Sequence, residues 1–258
     1  MRQLPTAAQA RPGIDPRIRK RRIEVARMEG RRRLRVLLAV AGAFLAISAA
    51  VAFLHSPAAR VHRVVLEGAV HTPLGAVEQA SGLEAHPLMV DLDTAAVARR
   101  VRALPWVATA SVRRDWPSTV VVRLTERRPV AQAPARGGGW VLVDRGGRVL
   151  ARGARPWPSQ PELAGLAPAP GPGGRVLGAS AQLDLAARLP GWLRPQVRQV
   201  GRGPQGLELG LGLPARVELG DSSQLGAKFS ALATLLAQAP QPGGTYDLTV
   251  PSAPALTR

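Results

Sequence analysis

LPWVATASVRRDWPSTVVVRLTERRPVA, residues 104–131, reads as two alternating runs around one turn. In 106–112, Trp106, Ala108, Ala110 and Val112 fall on one side of an extended chain; in 119–126, Val120, Val122 and Leu124 do the same. Asp115-Trp116-Pro117-Ser118 between them has turn chemistry, because Asp and Ser bond their own backbone and proline presets φ. The pattern predicts an antiparallel hairpin with Trp106 packed beneath the helices that cover it.

Upstream, VHRVVLE (61–67) is rich in branched residues and ends at Gly68, the signature of another strand. Thr72 as a cap, Pro73 at the first helical position and Gly82 as a stop bracket one helix. A second helix follows Asp93, with Val97, Val101 and Leu104 on one face. Residues 60–129 thus read β-α-α-β-β, an α+β unit whose helices cover one face of a three-stranded sheet. Arg99, Arg100, Arg102, Arg113 and Arg114 offer either a face for acidic lipid or a partner, or a solvated charged surface.

Further upstream lies VLLAVAGAFLAISAAVAFL, residues 36–54, nineteen residues without a charge. A helix rises ~1.5 Å per residue, so this run spans close to the ~30 Å hydrocarbon core of a bilayer. Residues 16–35 carry ten Lys/Arg and 55–74 only two, an asymmetry that places the N-terminus in the cytoplasm. A cleaved signal peptide, with Ala50-Val51-Ala52 as its site, is the competing reading. Against it, the run is longer than a 7–15-residue signal core and the alanines sit inside it. Residues 1–35 read as a basic cytoplasmic tail, unstructured over 1–16; residues 17–33 read as a basic helix leading into the membrane or, preferred because their apolar positions are few, as a solvated stop-transfer segment.

Downstream, 130–258 reads as a second domain, mainly antiparallel β with flanking helices. Trp140–Val143 and Arg148–Ala151 flank Asp144-Arg145-Gly146-Gly147, a hairpin signal. Residues 153–175 are dense in Pro and Gly and read as a surface loop or irregular crossing. A short helix over 180–189 turns Leu183, Ala186 and Leu189 inward, and Leu207, Leu209, Leu211 and Leu213 alternate ahead of Val217 and Leu219. Asp221-Ser222-Ser223-Gln224 reads as a capping box for a helix carrying Leu225, Phe229, Leu232 and Leu236. Lys228 beside that stripe is expected to bury its stem and expose its ammonium. Residues 245–250 read as a final strand, with Tyr246, Leu248 and Val250 on one face.

Composition excludes much chemistry. The chain of 258 residues has no cysteine, hence no disulfide or thiol chemistry. Its formal charge of +18 comes from 33 Arg and 2 Lys, half of the excess lying in residues 1–35 beside the apolar run. That placement sets membrane topology better than it serves nucleic acid. The four histidines (55, 62, 71, 86) lack metal-site spacing, and no glycine run leads into a phosphate-binding Lys-Ser/Thr. Neither an enzyme, a cofactor nor a small-molecule substrate is expected, and function is expected in surfaces.

Leu104-Pro105-Trp106-Val107, Trp116-Pro117 and Glu126-Arg127-Arg128-Pro129-Val130-Ala131, led by Val90-Asp91-Leu92, resemble the POTRA domain of the FtsQ/DivIB family of cell-division proteins. Val217-Glu218-Leu219-Gly220, the Lys-bearing helix and Tyr246-Asp247-Leu248 are similar to that family's β-domain. The resemblance implies a divisome scaffold that holds FtsB/FtsL-type proteins and other divisome components outside the cytoplasmic (inner) membrane, linking early and late septum assembly. It implies partner binding along the terminal strand, Thr245, Tyr246, Asp247, Leu248, Thr249 and Val250, with Leu256 on the adjoining rim. A second partner surface is expected on the POTRA strand carrying Trp106, Ala108, Ala110 and Val112. The alternative is a POTRA-bearing transport or outer-membrane assembly factor.

Overall fold

The structure is a computed structural model that describes residues 16–213, 215–238 and 243–257; the reading of residues 1–16 as unstructured lies outside them except at Pro16, where a helix that takes in 17–33 begins. The chain forms two compact units that divide between Ala59 and Arg60.

Among the described residues, the first unit is one long helix, α1 (Pro16–Leu54), of 39 residues, followed by a short 3-10 turn at Pro57–Ala59. Proline is tolerated at its start, where an N–H has no intrahelical partner. Arg33–Leu54 is long and apolar enough to cross a membrane, and none of it is buried. Leu37, Val40, Phe44, Leu45 and Ile47 are each more than 60% exposed. A helix of this length that is apolar on every side has the length and composition of a membrane span. At its end the Ser56 hydroxyl donates to Phe53 O (2.7 Å), satisfying a terminal carbonyl before Pro57 stops the helix.

The second unit holds two sheets. β1 (Arg63–Glu67), α2 (Leu74–Ser81), α3 (Thr94–Ala103), β2 (Val107–Asp115) and β3 (Thr119–Glu126) form the expected β-α-α-β-β order. The sheet runs β1-β3-β2, with β1 parallel and β2 antiparallel to β3. Val77, Val97, Val101, Val107, Val120, Val122 and Leu124 make its core with Leu83 and Met89. Gly68 ends β1 at φ 81, where a Cβ would lie 2.2 Å from Leu124 O, so only glycine lets the chain leave here. Asp93 caps α3 as its side chain accepts from the Ala95 and Ala96 N–H groups (2.9 and 3.0 Å). Thr72, expected to cap α2, instead turns its hydroxyl to Glu126 Oε1 (2.8 Å). Pro73 occupies the cap position without a side-chain bond.

Among the described residues the larger sheet has nine strands, β4 (Pro129–Pro134), β5 (Trp140–Asp144), β6 (Val149–Gly153), β7 (Glu162–Leu163), β8 (Val197–Gly203), β9 (Gly206–Leu211), β10 (Arg216–Gly220), β11 (Thr245–Asp247) and β12 (Ala255–Thr257). They lie in the order β12-β11-β10-β9-β8-β7-β4-β5-β6. Helices α4 (Ser180–Arg188) and α5 (Leu225–Gln238) supply Leu183, Ala186, Phe229 and Leu232 to the same core as Leu207, Leu209 and Leu211. The sheet is mixed: β7 is parallel to β4 and β8, β11 is parallel to β10, and the other pairs are antiparallel.

Two expectations are corrected here. The Pro/Gly-rich stretch 153–175 is not only a loop, because β7 lies within it, in the middle of the sheet. The Gln132 side-chain amide fixes the approach to β7, donating to Trp157 O (3.1 Å) and Gln160 O (2.7 Å) and accepting from Trp157 N (2.6 Å). Nor do residues 221–224 form a capping box. Gln224 takes φ 49, while the Asp221 carboxylate accepts from Ser223 N (3.1 Å), the Ser223 hydroxyl (2.6 Å) and Lys228 (2.9 Å).

Candidate partner-binding edges

The expected strand over 245–250 is only three residues long. β11 ends at Asp247, whose Oδ1 accepts from the Thr249 N–H (2.9 Å) and the Thr249 hydroxyl (2.7 Å), turning the chain out of the sheet. Those bonds hold the Asp247 carboxyl below its ordinary range. Leu248 N still donates to Glu218 O (2.8 Å), and Ala253 N to Val250 O (3.0 Å) closes the turn before β12.

β12 then folds back on β11, pairing Thr245 with Thr257, Tyr246 with Leu256 and Asp247 with Ala255. The rim expected to be open at β11 is thus covered by the chain's own last strand, and the sheet ends one strand further out. Tyr246 and Leu248, expected among the partner-binding residues, are both 0% exposed and belong to the core. Leu256 is half-buried on the outermost strand, with Ala255 and Thr257 exposed beside it; Val250 is 54% exposed in the turn. Of the expected rim residues, these outer ones sit where another chain can reach them. A three-residue strand behind Pro251 and Pro254 is too short for alternation to reveal it.

Behind this edge, Lys228 departs from expectation. It is 1% exposed, and its Nζ donates to Leu219 O (2.7 Å), Asp221 O (3.1 Å) and Asp221 Oδ1 (2.9 Å). The backbone turns away at Gly220 (φ 68), so the carbonyls on either side converge on one point, and the ammonium satisfies them. The Ser223 hydroxyl and then Lys228 hold the Asp221 carboxyl down at about 2.

In the smaller sheet, β2 is an edge strand, as its candidacy required. Its inner face differs from expectation. The register shifts between Val107 and Thr109, which puts Val107 in the core and leaves Ala108 without a partner residue on β3. Ala110 and Val112 pack inward. Trp106 lies before the strand and stacks on His71, centroids 4.1 Å apart and planes at 6°, so it does not pack under the helices.

The exit motif is a knot between the two sheets that the sequence marked without explaining. Glu126 accepts from His71 N (2.9 Å), Thr72 N (2.8 Å) and the Thr72 hydroxyl (2.8 Å), and its Oε2 stands 2.9 Å from His71 Nδ1. Burial pushes its carboxyl up, but these bonds outweigh burial and hold it down at about 2. Arg127 reaches both lobes: Nε donates to Val107 O (3.1 Å) and Nη1 to Asp144 Oδ2 (2.8 Å). Arg148 adds a bond from Nη2 to Ala103 O (2.6 Å). Among the described residues, no three His, Asp or Glu side chains are grouped to hold a metal ion.

A family model described as POTRA domain, FtsQ-type, matches residues 59–127. The cell division protein FtsQ of Streptomyces bingchenggensis is 31% identical over 233 residues, covering 88% of this chain and 87% of that protein. The FtsQ of Streptomyces griseus is 30% identical over 204 residues, covering 77% of this chain and 97% of that protein. That of Mycolicibacterium smegmatis is 32% identical over 228 residues, covering 87% of this chain and 66% of that protein. With an apolar helix ahead of a POTRA sheet and a larger mixed sheet, and with this likeness along most of its length, the chain belongs to the FtsQ family of membrane-located cell-division proteins.

Proposed function

We propose that this protein is a divisome scaffold that captures FtsB/FtsL-type division proteins by strand addition at β12, outside the cytoplasmic membrane and at the septum. The observation that supports this reading most is the position of β12: it ends the nine-stranded sheet and has a strand on one side only among the described residues. An edge strand presents a row of N–H and C=O groups ready to pair with another chain, and short edges like this one avoid indiscriminate pairing. Leu256 and Val250 supply apolar contact next to that row. The arginine asymmetry around the span favours a cytoplasmic N-terminus and so supports a reading with both sheets on the outer side. The edge of β2 serves as a second surface for other divisome components, through its backbone and the exposed Thr109 and Ser111.

The test is co-purification in mild detergent with a tagged FtsB/FtsL-type pair from the same cell. Leu256→Pro, or removal of residues 254–258, is expected to lower recovery of the pair at least tenfold with the far-UV spectrum unchanged. Undiminished recovery by both variants would reject the edge. Tyr246→Glu is not a clean probe, because it buries a charge in the core.

A further inference from the structure

We propose that the tip of the β2–β3 hairpin is a membrane-interface foot: Trp116 inserts at the lipid headgroup level, and Arg60 and Arg63 bind anionic headgroups beside it. Trp116 is 48% exposed, and among the described residues its indole makes neither a hydrogen bond nor a ring contact. Core packing therefore does not account for a large aromatic at this turn. An amphipathic indole is the side chain best suited to the boundary between headgroups and acyl chains.

The backbone ties this tip to the place where the second unit begins. Ser118 O accepts from His62 N (2.8 Å) and Arg63 N (3.2 Å), so Trp116 stands a few residues from Arg60 at one end of the lobe. Only residues 55–59 separate Arg60 from the end of α1 at Leu54. Six residue steps reach at most about 20 Å. That short covalent tether brings a bilayer crossed by α1 within reach of this tip, and the inference rests on that membrane reading alone, on neither topology nor partner.

Charge favours lipid as the occupant. Arg60 and Arg63 are exposed, and neither side chain meets a carboxylate among the described residues. Other arginines nearby are engaged: Arg113 with Asp115 (3.6 Å), Arg123 with Glu67 (2.7 Å) and Arg114 with Leu92 O. Arg99 and Arg100, once candidates for the same role, lie against Asp93 (3.9 Å) and Ser81 O (2.9 Å). Each basic side chain near an anionic surface adds to the attraction.

The full chain, reconstituted into phosphatidylcholine vesicles with about 30% phosphatidylglycerol, is the object to test. Lipid brominated near the headgroup quenches tryptophan at that depth. Since Trp116 is one of 5 tryptophans, wild type is expected to lose about one-fifth of its emission, and Trp116→Phe almost none. Arg60→Glu with Arg63→Glu is expected to reduce the quenching at least twofold. Equal quenching in wild type and Trp116→Phe, or none in either while the chain still floats with the vesicles, overturns the proposal. So does indole emission insensitive to lipid but altered by a purified division partner, which would make the tip a protein contact. Failure to float would instead remove the membrane reading itself.

Discussion

The exit knot at residues 126–129 and the rim at 245–257 differ in almost every physical respect. At the knot, one carboxylate takes four donors from the segment before α2, and one guanidinium bonds both sheets. At the rim, three-residue strands pair by backbone, and the outer one has protein on one side among the described residues. The knot carries the most legible motif in the sequence and holds the two sheets together. The rim carries almost no motif and is where another chain fits. A strong sequence signature here marks rigidity, and the proposed recognition site lies where pairing was left short.

This contrast can be broken at the knot first. Glu126→Ala is expected to cost the most stability, about 2–4 kcal/mol, because it strands both donors of the buried Thr72. Thermal unfolding measures it, and a loss below that of an ordinary surface substitution would refute the knot. Acid should act on the same group. Its folded pKa of about 2 lies below the ordinary 4.5, so its contribution is full above pH 4.5 and disappears as pH falls toward 2. The loss is on the order of 2–3 kcal/mol. A midpoint that falls equally in wild type and Glu126→Gln across that window would contradict it.

Next in size is Lys228→Met. It keeps the stem's volume but leaves Leu219 O without its donor, at about 1–3 kcal/mol. It is also expected to weaken partner capture, because Leu219 and Asp221 end β10, the strand on which β11 is laid. Chemical denaturation and the co-purification assay read the two effects separately. Smallest in stability is the rim: removing residues 254–258 gives up only the burial of one half-buried leucine, Leu256, and is expected to cost only about 1 kcal/mol. The knot variants should lose stability and keep capture at low temperature; the rim variant should do the reverse.

The POTRA elements were legible because each rests on local chemistry: alternation in 119–126, the Asp93 cap and the Gly82 stop all appear where the residues place them. Long-range partners were not legible. Thr72 has the form of a cap, and only a carboxylate 54 residues away draws it off. Lys228 reads as a snorkelling side chain until Leu219 O and Asp221 O meet it at the end of β10. β7 hides among prolines and glycines because its two residues are held by neighbouring strands instead of by their own pattern. At the rim, the resemblance put Tyr246 and Leu248 on a docking strand, whereas 0% exposure of both shows that their alternation serves the core.

The most direct test of the central claim is hydrogen exchange at the backbone amides of residues 255–257, in the full chain with and without the purified FtsB/FtsL-type pair. Strand addition predicts that these amides slow at least tenfold on binding, while those of β6 at the opposite end of the sheet are unchanged. Unaltered exchange at 255–257 in a complex shown to be formed, with protection appearing elsewhere, would contradict it.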